Sequence, residues 1–485
     1  MRAARKTSPG SLVRRSFLVG IGLLEGLGCA PRDVHGTAVE AWGSPDDPES
    51  LHDMPWSTRT IQAVPASGAA ADAHSATVDE KGEFLITGAP SSAYWLVFPD
   101  DLTARRDEGN TYVWTNASEF DLGLRGLPSY VGGTARMPMP TPITGLKAVE
   151  TYDSMEAYGT SQSWSMTWPL PTPGAVSTTW PTDKAIPFRV TPSEQILVKQ
   201  WQGAMQGSLN VQTVVRAGRA AAPADERTEV PVMLSDATPA AVDVQIDHAA
   251  IMSQLSALSG PLEVSFKLMA DSDPSDYMPG DRNLLVKVSN GSTAVGDPSA
   301  GRLSYVDPYP ASWSRRYQLT YMNFVDYPVD GTTGGIATCR AGLTLLGAAS
   351  ELGRGPLRPN LSLPQQLALD GSSAMVGRDD VALTPTVTWQ PPQIGESVLY
   401  LLRIMQMVKT SHHGYRDQLA GSFLTPKTEA KIPEGVLKPA GQYYLELIAV
   451  GGLGEGAMTR PRAAVAASWS QSSAHVCSAS FHTQP

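Results

Sequence analysis

Four carboxylates fall inside one short stretch, Asp271-Ser-Asp273-Pro-Ser-Asp276-Tyr-Met-Pro-Gly-Asp281. Hard oxygen donors at that density suit calcium, which takes about six to eight of them. The spacing is not that of an EF-hand loop, and Pro274 and Pro279 stiffen the segment. Asp271, Asp273, Asp276 and Asp281 therefore read as a solvated acidic turn first and as a weak calcium site second. Trp164, Trp168 and Trp180 lie among prolines, in Ser163-Trp-Ser-Met-Thr-Trp-Pro-Leu-Pro and Thr178-Thr-Trp-Pro181. Aromatic rings beside proline form a stacking platform for a sugar or a peptide, or they pin a loop over a sheet edge. His412 and His413 are adjacent, and two neighbouring imidazoles do not by themselves make a metal site. No Gly-x-Ser-x-Gly elbow, phosphate loop, His-Glu-x-x-His or dinucleotide fingerprint occurs, so no catalytic residue and no cofactor is assigned. A pair of carboxylates for glycoside hydrolysis is set in three dimensions, so sequence leaves it open.

Those residues need a scaffold, and composition describes one. At 485 residues the chain exceeds a single core, and roughly 150 residues per domain suggests about three domains. Apolar residues make up 42%, which excludes wholesale disorder, while charged residues make up only 17%. With 44 Gly, 39 Pro, 11 Trp and 15 Tyr, the chain is turn-rich and aromatic rather than helical. The formal net charge of -10 argues against nucleic acid as a partner, because phosphate contacts need clustered Lys and Arg. No fixed repeat period suggests a solenoid or a propeller.

Residues 1–28 read as an export signal. Arg2, Arg5, Lys6, Arg14 and Arg15 precede the apolar run Phe17-Leu-Val-Gly-Ile-Gly-Leu-Leu24, which is shorter than the ~20 residues that cross a bilayer. Gly26-Leu27-Gly28-Cys29 resembles the lipobox of bacterial lipoproteins. That resemblance implies cleavage before Cys29, acylation of Cys29 and attachment to an envelope membrane. Arg14-Arg15-Ser16-Phe17-Leu18 also resembles a twin-arginine export motif, so both export routes stay open. With Cys29 acylated, Cys339 and Cys477 remain, and an even pair in an exported protein suggests one disulfide. Two buried free thiols are the alternative.

Short runs bounded by Gly, Pro, Ser and Asp fill the mature chain, which is the signature of strands. In the stretch Thr77 to Leu96, the pattern Asp79-x-x-Gly82-x-Phe84, Pro90 and Tyr94-x-Leu96 resembles the β-sandwich of carboxypeptidase regulatory-like domains. In the middle, Val242 to Ile246 and Leu262 to Leu268 alternate as strands do. Between them, Ile251, Leu255 and Leu258 at helical spacing behind Asp247 predict one short helix. Gln195 to Trp201 fits a strand better than the helix that Leu197, Trp201 and Met205 also permit, and 217–228 reads as a loop or boundary. Near the C-terminus, Trp389, the alternating Val398, Tyr400, Leu402 and Ile404, and Leu437-x-Pro439-x-x-x-Tyr443 resemble a fibronectin type III domain. Trp389 would be its core tryptophan and Tyr443 the tyrosine of its corner.

The expectation is an all-β protein of several Ig- or fibronectin III-like β-sandwich modules behind a cleaved lipoprotein signal peptide. The expected divisions are signal 1–28, tether 29–34, a first sandwich 35–115, a middle of one or two sandwiches 116–352, a fibronectin-like domain 361–470 and a tail 471–485. Such sandwiches host many functions. The expected role is a non-enzymatic envelope scaffold or binding module, membrane-bound through acylated Cys29, meeting an envelope protein or a polysaccharide. An envelope hydrolase is the alternative.

Overall fold

The computed structural model describes residues 31–42, 52–99, 109–123, 142–144, 154–159, 165–169, 177–179, 195–221, 232–235, 239–256, 258, 262–271, 284–290, 299–397, 399–410, 414–452, 457–462, 464 and 471–485. Nearly all of its elements are strands, with one α-helix, His248–Leu255. That helix starts where the sequence predicts: the Asp247 carboxylate accepts the Ala250 amide at 3.1 Å, and Ile251 and Leu255 are buried. None of the described helices is long and apolar enough to cross a membrane.

The first module contains β1 (Arg32–Thr37), β2 (Thr60–Pro65), β3 (His74–Thr77), β4 (Glu83–Ala89), β5 (Tyr94–Pro99), β6 (Asn110–Thr115) and β7 (Glu119–Asp121). Strand β1 begins at Arg32, and Val34 is fully buried, so residues 32–34 of the stretch expected as a tether belong to the sheet. The turn between β3 and β4 forms as its residues require. The Asp79 Oδ1 accepts the Lys81 and Glu83 amides at 2.8 Å each. Gly82 takes a φ of 82°, a left-handed conformation that costs glycine little. Phe84, Tyr94 and Leu96 are core residues, and the Tyr94 hydroxyl donates to the Ala117 carbonyl at 2.7 Å.

The middle holds β8 (Ser154–Gly159), β9 (Ser165–Pro169), β10 (Gln195–Gln206), β11 (Leu209–Ala221), β12 (Leu262–Asp271), β13 (Leu284–Ser289), β14 (Ser314–Pro328) and β15 (Ile336–Ala348). Gln195 to Trp201 is strand: a spacing of four fits one face of a strand as well as a helix, and β10 pairs with β11 along its whole length. The stretch expected as a loop or boundary over 217–228 starts as sheet. Ala217 to Ala221 continue β11, paired with Gln195 to Lys199. Backbone pairing holds this stretch, mostly Ala and Gly, in the sheet although its side chains carry little strand signal.

The C-terminal part adds β16 (Thr386–Gln390), β17 (Leu399–Thr410), β18 (Gly414–Thr425), β19 (Gln442–Val450), β20 (Ser473–Cys477) and β21 (Phe481–Thr483). Trp389 is buried edge-on to Tyr400 at 5.3 Å. The Tyr443 hydroxyl accepts the Lys438 amide at 2.8 Å, the backbone bond a tyrosine corner makes. The expected tail, residues 471–485, is not a tail. Strand β20 pairs with β19 and β15, and Phe481 stacks on Tyr443 at 5.8 Å.

These parts are joined by hydrogen bonds into an 18-stranded sheet. Strand β15 meets β20 antiparallel, and β18 meets β6 in parallel, Gly421 to Leu424 against Asn110 to Val113. The first module packs its apolar side on the second face of the C-terminal sheet. Leu399, Leu401, Leu424, Ile448 and Val450 share one core with Val34, Ile61, Leu96 and Phe120. Tyr400, Leu402, Leu445 and Leu447 on the opposite face join the core that runs through the middle. Strands β5 and β19 are therefore covered on both faces, which is why each is an almost unbroken apolar run. The described residues are mostly strand, in several β-sheets packed over shared apolar cores.

Candidate functional site

Strands β4, β1 and β7 form a small sheet in that order, one face of which is open. Register places His35 between Leu85 and Glu119, and Thr37 between Glu83 and Asp121. Alternation sends Val34, Phe84, Ile86 and Phe120 into the core and His35, Thr37, Glu83, Leu85 and Glu119 outward. All five of these are exposed, Leu85 at 54%. They floor a cleft of about 1020 Å³, rimmed by Thr77, Asp79, Thr459 and Arg460. The rim is fixed by local bonds. The Asp121 Oδ1 accepts the Gly123 amide at 2.9 Å, and its Oδ2 lies 3.4 Å from Arg460 Nε. The Glu83 amide, together with Lys81, holds the Asp79 carboxyl below its ordinary value.

Gly36 makes the floor possible. A Cβ there would lie 2.3 Å from the Phe120 carbonyl oxygen and 2.7 Å from the Phe84 ring. Any side chain would push β7 off β1 or displace Phe84. Gly36→Ala is expected to destabilise the fold by about 1–3 kcal/mol, the usual cost of overpacking, read as a fall in the denaturant midpoint.

A second polar constellation lies on β17, β19 and β20. Ser473 and His475 are two apart on one strand and so share a face. The Ser473 Oγ is 2.9 Å from His475 Nε2, and His475 Nδ1 is 3.4 Å from Glu446 Oε1. Arg403 Nη1 donates to Glu446 Oε2 at 3.2 Å, from the position directly opposite in register. Burial opposes ionisation of Glu446, but the His475 hydrogen bond and the Arg403 charge outweigh it and hold the carboxyl below its ordinary value. The order Ser, His, carboxylate is that of a nucleophilic triad. Yet Ser473, His475 and Glu446 are only 2%, 3% and 8% exposed. An acyl substrate has no approach to a serine at that depth, so the network is a structural one.

Of the residues singled out by sequence, Cys339 and Cys477 are brought together as a disulfide between β15 and β20, with Cα atoms 6.2 Å apart. Asp271 closes β12, its backbone opposite Ser314. Asp273, Asp276 and Asp281 lie outside the described residues, as do Cys29, Trp164, Trp180, His412 and His413. Trp168 stands in β9 opposite Met155. Among the described residues no group of three or more His, Cys, Asp or Glu could hold a metal ion. The open face of β4–β1–β7 was not foreseen. Its alternating residues are visible in the sequence, but the pairing that aligns 35, 85 and 119 joins segments far apart in the chain.

No protein-family model matches the chain, and no curated protein matches it. Among solved structures, it is similar to the FN1–FN3 domains of chicken CNTN1 at 9% identity, over 72% of this chain and 100% of that one, with a TM-score of 0.16. The tetra-tandem repeat in the extending region of a large adhesion protein matches at 10% identity, over 93% and 100%, with a TM-score of 0.14. A putative carbohydrate binding protein from Bacteroides uniformis matches at 10% identity, over 65% and 98%, with a TM-score of 0.12.

Proposed function

We propose that this protein is a non-enzymatic binding scaffold of the bacterial cell envelope, anchored by acyl chains on Cys29 and probing for polysaccharide with the open face of β4–β1–β7. The single observation behind this reading is that face. Glu83, Thr37, Asp121, His35 and Glu119 line up as acceptors and donors beside the apolar Leu85. Paired rows of carboxylate, hydroxyl and imidazole suit vicinal sugar hydroxyls, while Leu85 suits the apolar face of a ring. The sheet beneath is held by the shared core, so the groups are positioned before binding and little ordering cost is incurred. The anchor would place the protein on the outer membrane, facing the periplasm or the surface.

Calorimetric titration with polysaccharides extracted from the producing cell's envelope tests this. Binding by the wild type should weaken at least tenfold in Glu83→Gln plus Glu119→Gln, with the thermal melt unchanged. Equal affinity in the two proteins would remove this face from the function.

A further inference from the structure

Strand β15 ends at Ala348, and the chain reaches the C-terminal part through residues 349–361. One turn of 3-10 helix, Ala349–Glu351, comes first. The Arg354 amide donates to the Glu351 carbonyl at 3.2 Å, and the Leu357 amide donates to the Gln245 carbonyl at 2.9 Å. Between these two bonds, Gly355 and Pro356 make none among the described residues. From Leu357 the chain is held again. That side chain is buried, and Arg358 Nε lies 2.9 Å from Asp247 Oδ2. Arg354 therefore stands on a short arch secured at both ends. Its side chain is exposed and touches no partner among the described residues. A Cβ added at Gly353 or Gly355 would meet nothing within 4 Å, so both flanks are open to an approaching protein.

An endoprotease must draw a few residues of chain into its cleft, which favours exposed segments of small residues with few bonds to break. A trypsin-like protease also needs a cationic side chain to reach the carboxylate at the bottom of its pocket. Arg354 meets both conditions. The other exposed arginines and lysines outside strands, among the described residues, meet them less well. Arg358 and Lys438 precede Pro359 and Pro439, whose ring and missing N–H such proteases reject. Arg59 and Lys427 lie over the rings of Trp56 and Trp114. Lys81 sits in the tight turn where Asp79 accepts its amide.

We infer that the Arg354–Gly355 bond is a processing site for a trypsin-like endoprotease, and that the product persists as two chains joined by the Cys339–Cys477 disulfide. The C–N bond breaks, and water supplies the hydroxyl of the new Arg354 carboxyl and the proton of the new Gly355 amine. Cys339 precedes the cut and Cys477 follows it, so the bridge becomes a covalent link between the products. Pairing of β15 with β20 and of β6 with β18 also crosses the cut. The floor of the cleft then belongs to one chain, and its Thr459 and Arg460 rim to the other. The inference depends neither on the anchor nor on the cleft's ligand.

Limited digestion of the full-length protein with trypsin, read by mass spectrometry, tests the site. A new N-terminus at Gly355 should accumulate before any at Thr60, Gly82 or Thr428. Its absence, or its appearance only after those three, would overturn the inference. Arg354→Gln should lose the Gly355 terminus and Arg354→Lys should keep it, with unchanged thermal melts because the side chain touches nothing. In a denaturing gel, chain 355–485 should stay attached to a larger partner until reductant is added. Cys339→Ala plus Cys477→Ala should release it without reductant. Release from the wild type without reductant would end the two-chain form. Protein taken from its producing cells and digested with a glutamate-specific protease supplies the last arm. A peptide running from Gly355 to Glu396 is expected, and finding only the unbroken peptide from Leu352 to Glu396 would refute processing.

Discussion

Replacing Cys339 and Cys477 together by alanine is expected to lower the unfolding free energy by about 3–5 kcal/mol. The bond links residues 138 apart in sequence, and loop-closure entropy for a loop of that length amounts to about 5 kcal/mol at its theoretical limit. The bridge also joins two parts of the fold. It ties β20 to β15, and β20 is the strand through which the middle of the protein joins the C-terminal sheet. Without the bridge, the three-residue pairing of β20 with β15, the hydrogen bonds around it and the shared apolar clusters must hold that junction. Denaturant titration of the two proteins should show the lower midpoint. Both cysteines are 3% exposed, so a mild reductant should leave the native wild type untouched and act only once denaturant opens the fold. Reduction of the native protein at the rate of a free disulfide would contradict the burial. A double variant within 1 kcal/mol of wild type would show that the sheet junction carries itself.

The elements were largely legible in the sequence, and the joints between them were not. Tyr94-Trp-Leu-Val-Phe98 announces a strand because five apolar residues stand between breakers. Tyr94, Leu96 and Phe98 enter one core, and Trp95 and Val97 enter another. That second cover comes from strands more than three hundred residues later in the chain, beyond the reach of any local pattern. The same limit explains the misread tail. Ser473 to Cys477 alternates polar and small apolar residues, a weak strand signal, yet all five are buried because β15 and β19 flank them. Trp389 and Tyr443 are legible for a different reason. A tyrosine five residues after the amide it accepts from is a local relationship, and sequence carries local relationships well. The candidate face shows both behaviours at once. Its alternation is local, whereas the alignment of His35 with Leu85 and Glu119 depends on a parallel pairing of β1 with β7 that hydropathy does not encode.

Glu446→Ala should cost about 3–5 kcal/mol, because it removes one partner from a buried charge network and leaves the other charged. Arg403 would keep a guanidinium only 12% exposed opposite an apolar hole. His475 would lose the carboxylate 3.4 Å from its Nδ1. Glu446→Gln preserves the shape and separates charge from packing. Its loss should be smaller at neutral pH and should vanish in acid. Glu446 has its folded-state carboxyl held below the ordinary value, so its ionised form is favoured by folding. The stabilisation is complete above the unfolded carboxylate range, near pH 4.3, and is lost as pH falls through the lower folded value. Wild-type stability should therefore decline below about pH 4.3 more steeply than that of Glu446→Gln, and the two curves should converge. Parallel acid limbs would mean that Glu446 does not supply the acid sensitivity. The polar network sits where β17, β19 and β20 face the first module's side of the sheet. It therefore interrupts a surface that is otherwise apolar, from Leu399 and Leu401 to Ile448 and Val450. A slip of register by one residue would place Arg403 against an apolar neighbour instead of Glu446. The network thus selects one alignment of the sheet at a cost in maximal stability. A triple variant replacing Arg403, Glu446 and His475 with Leu, Leu and Phe should fold as stably as wild type or more so, while showing broadened amide resonances along β17 and β19. A sharp, native-like spectrum from that variant would refute the alignment role.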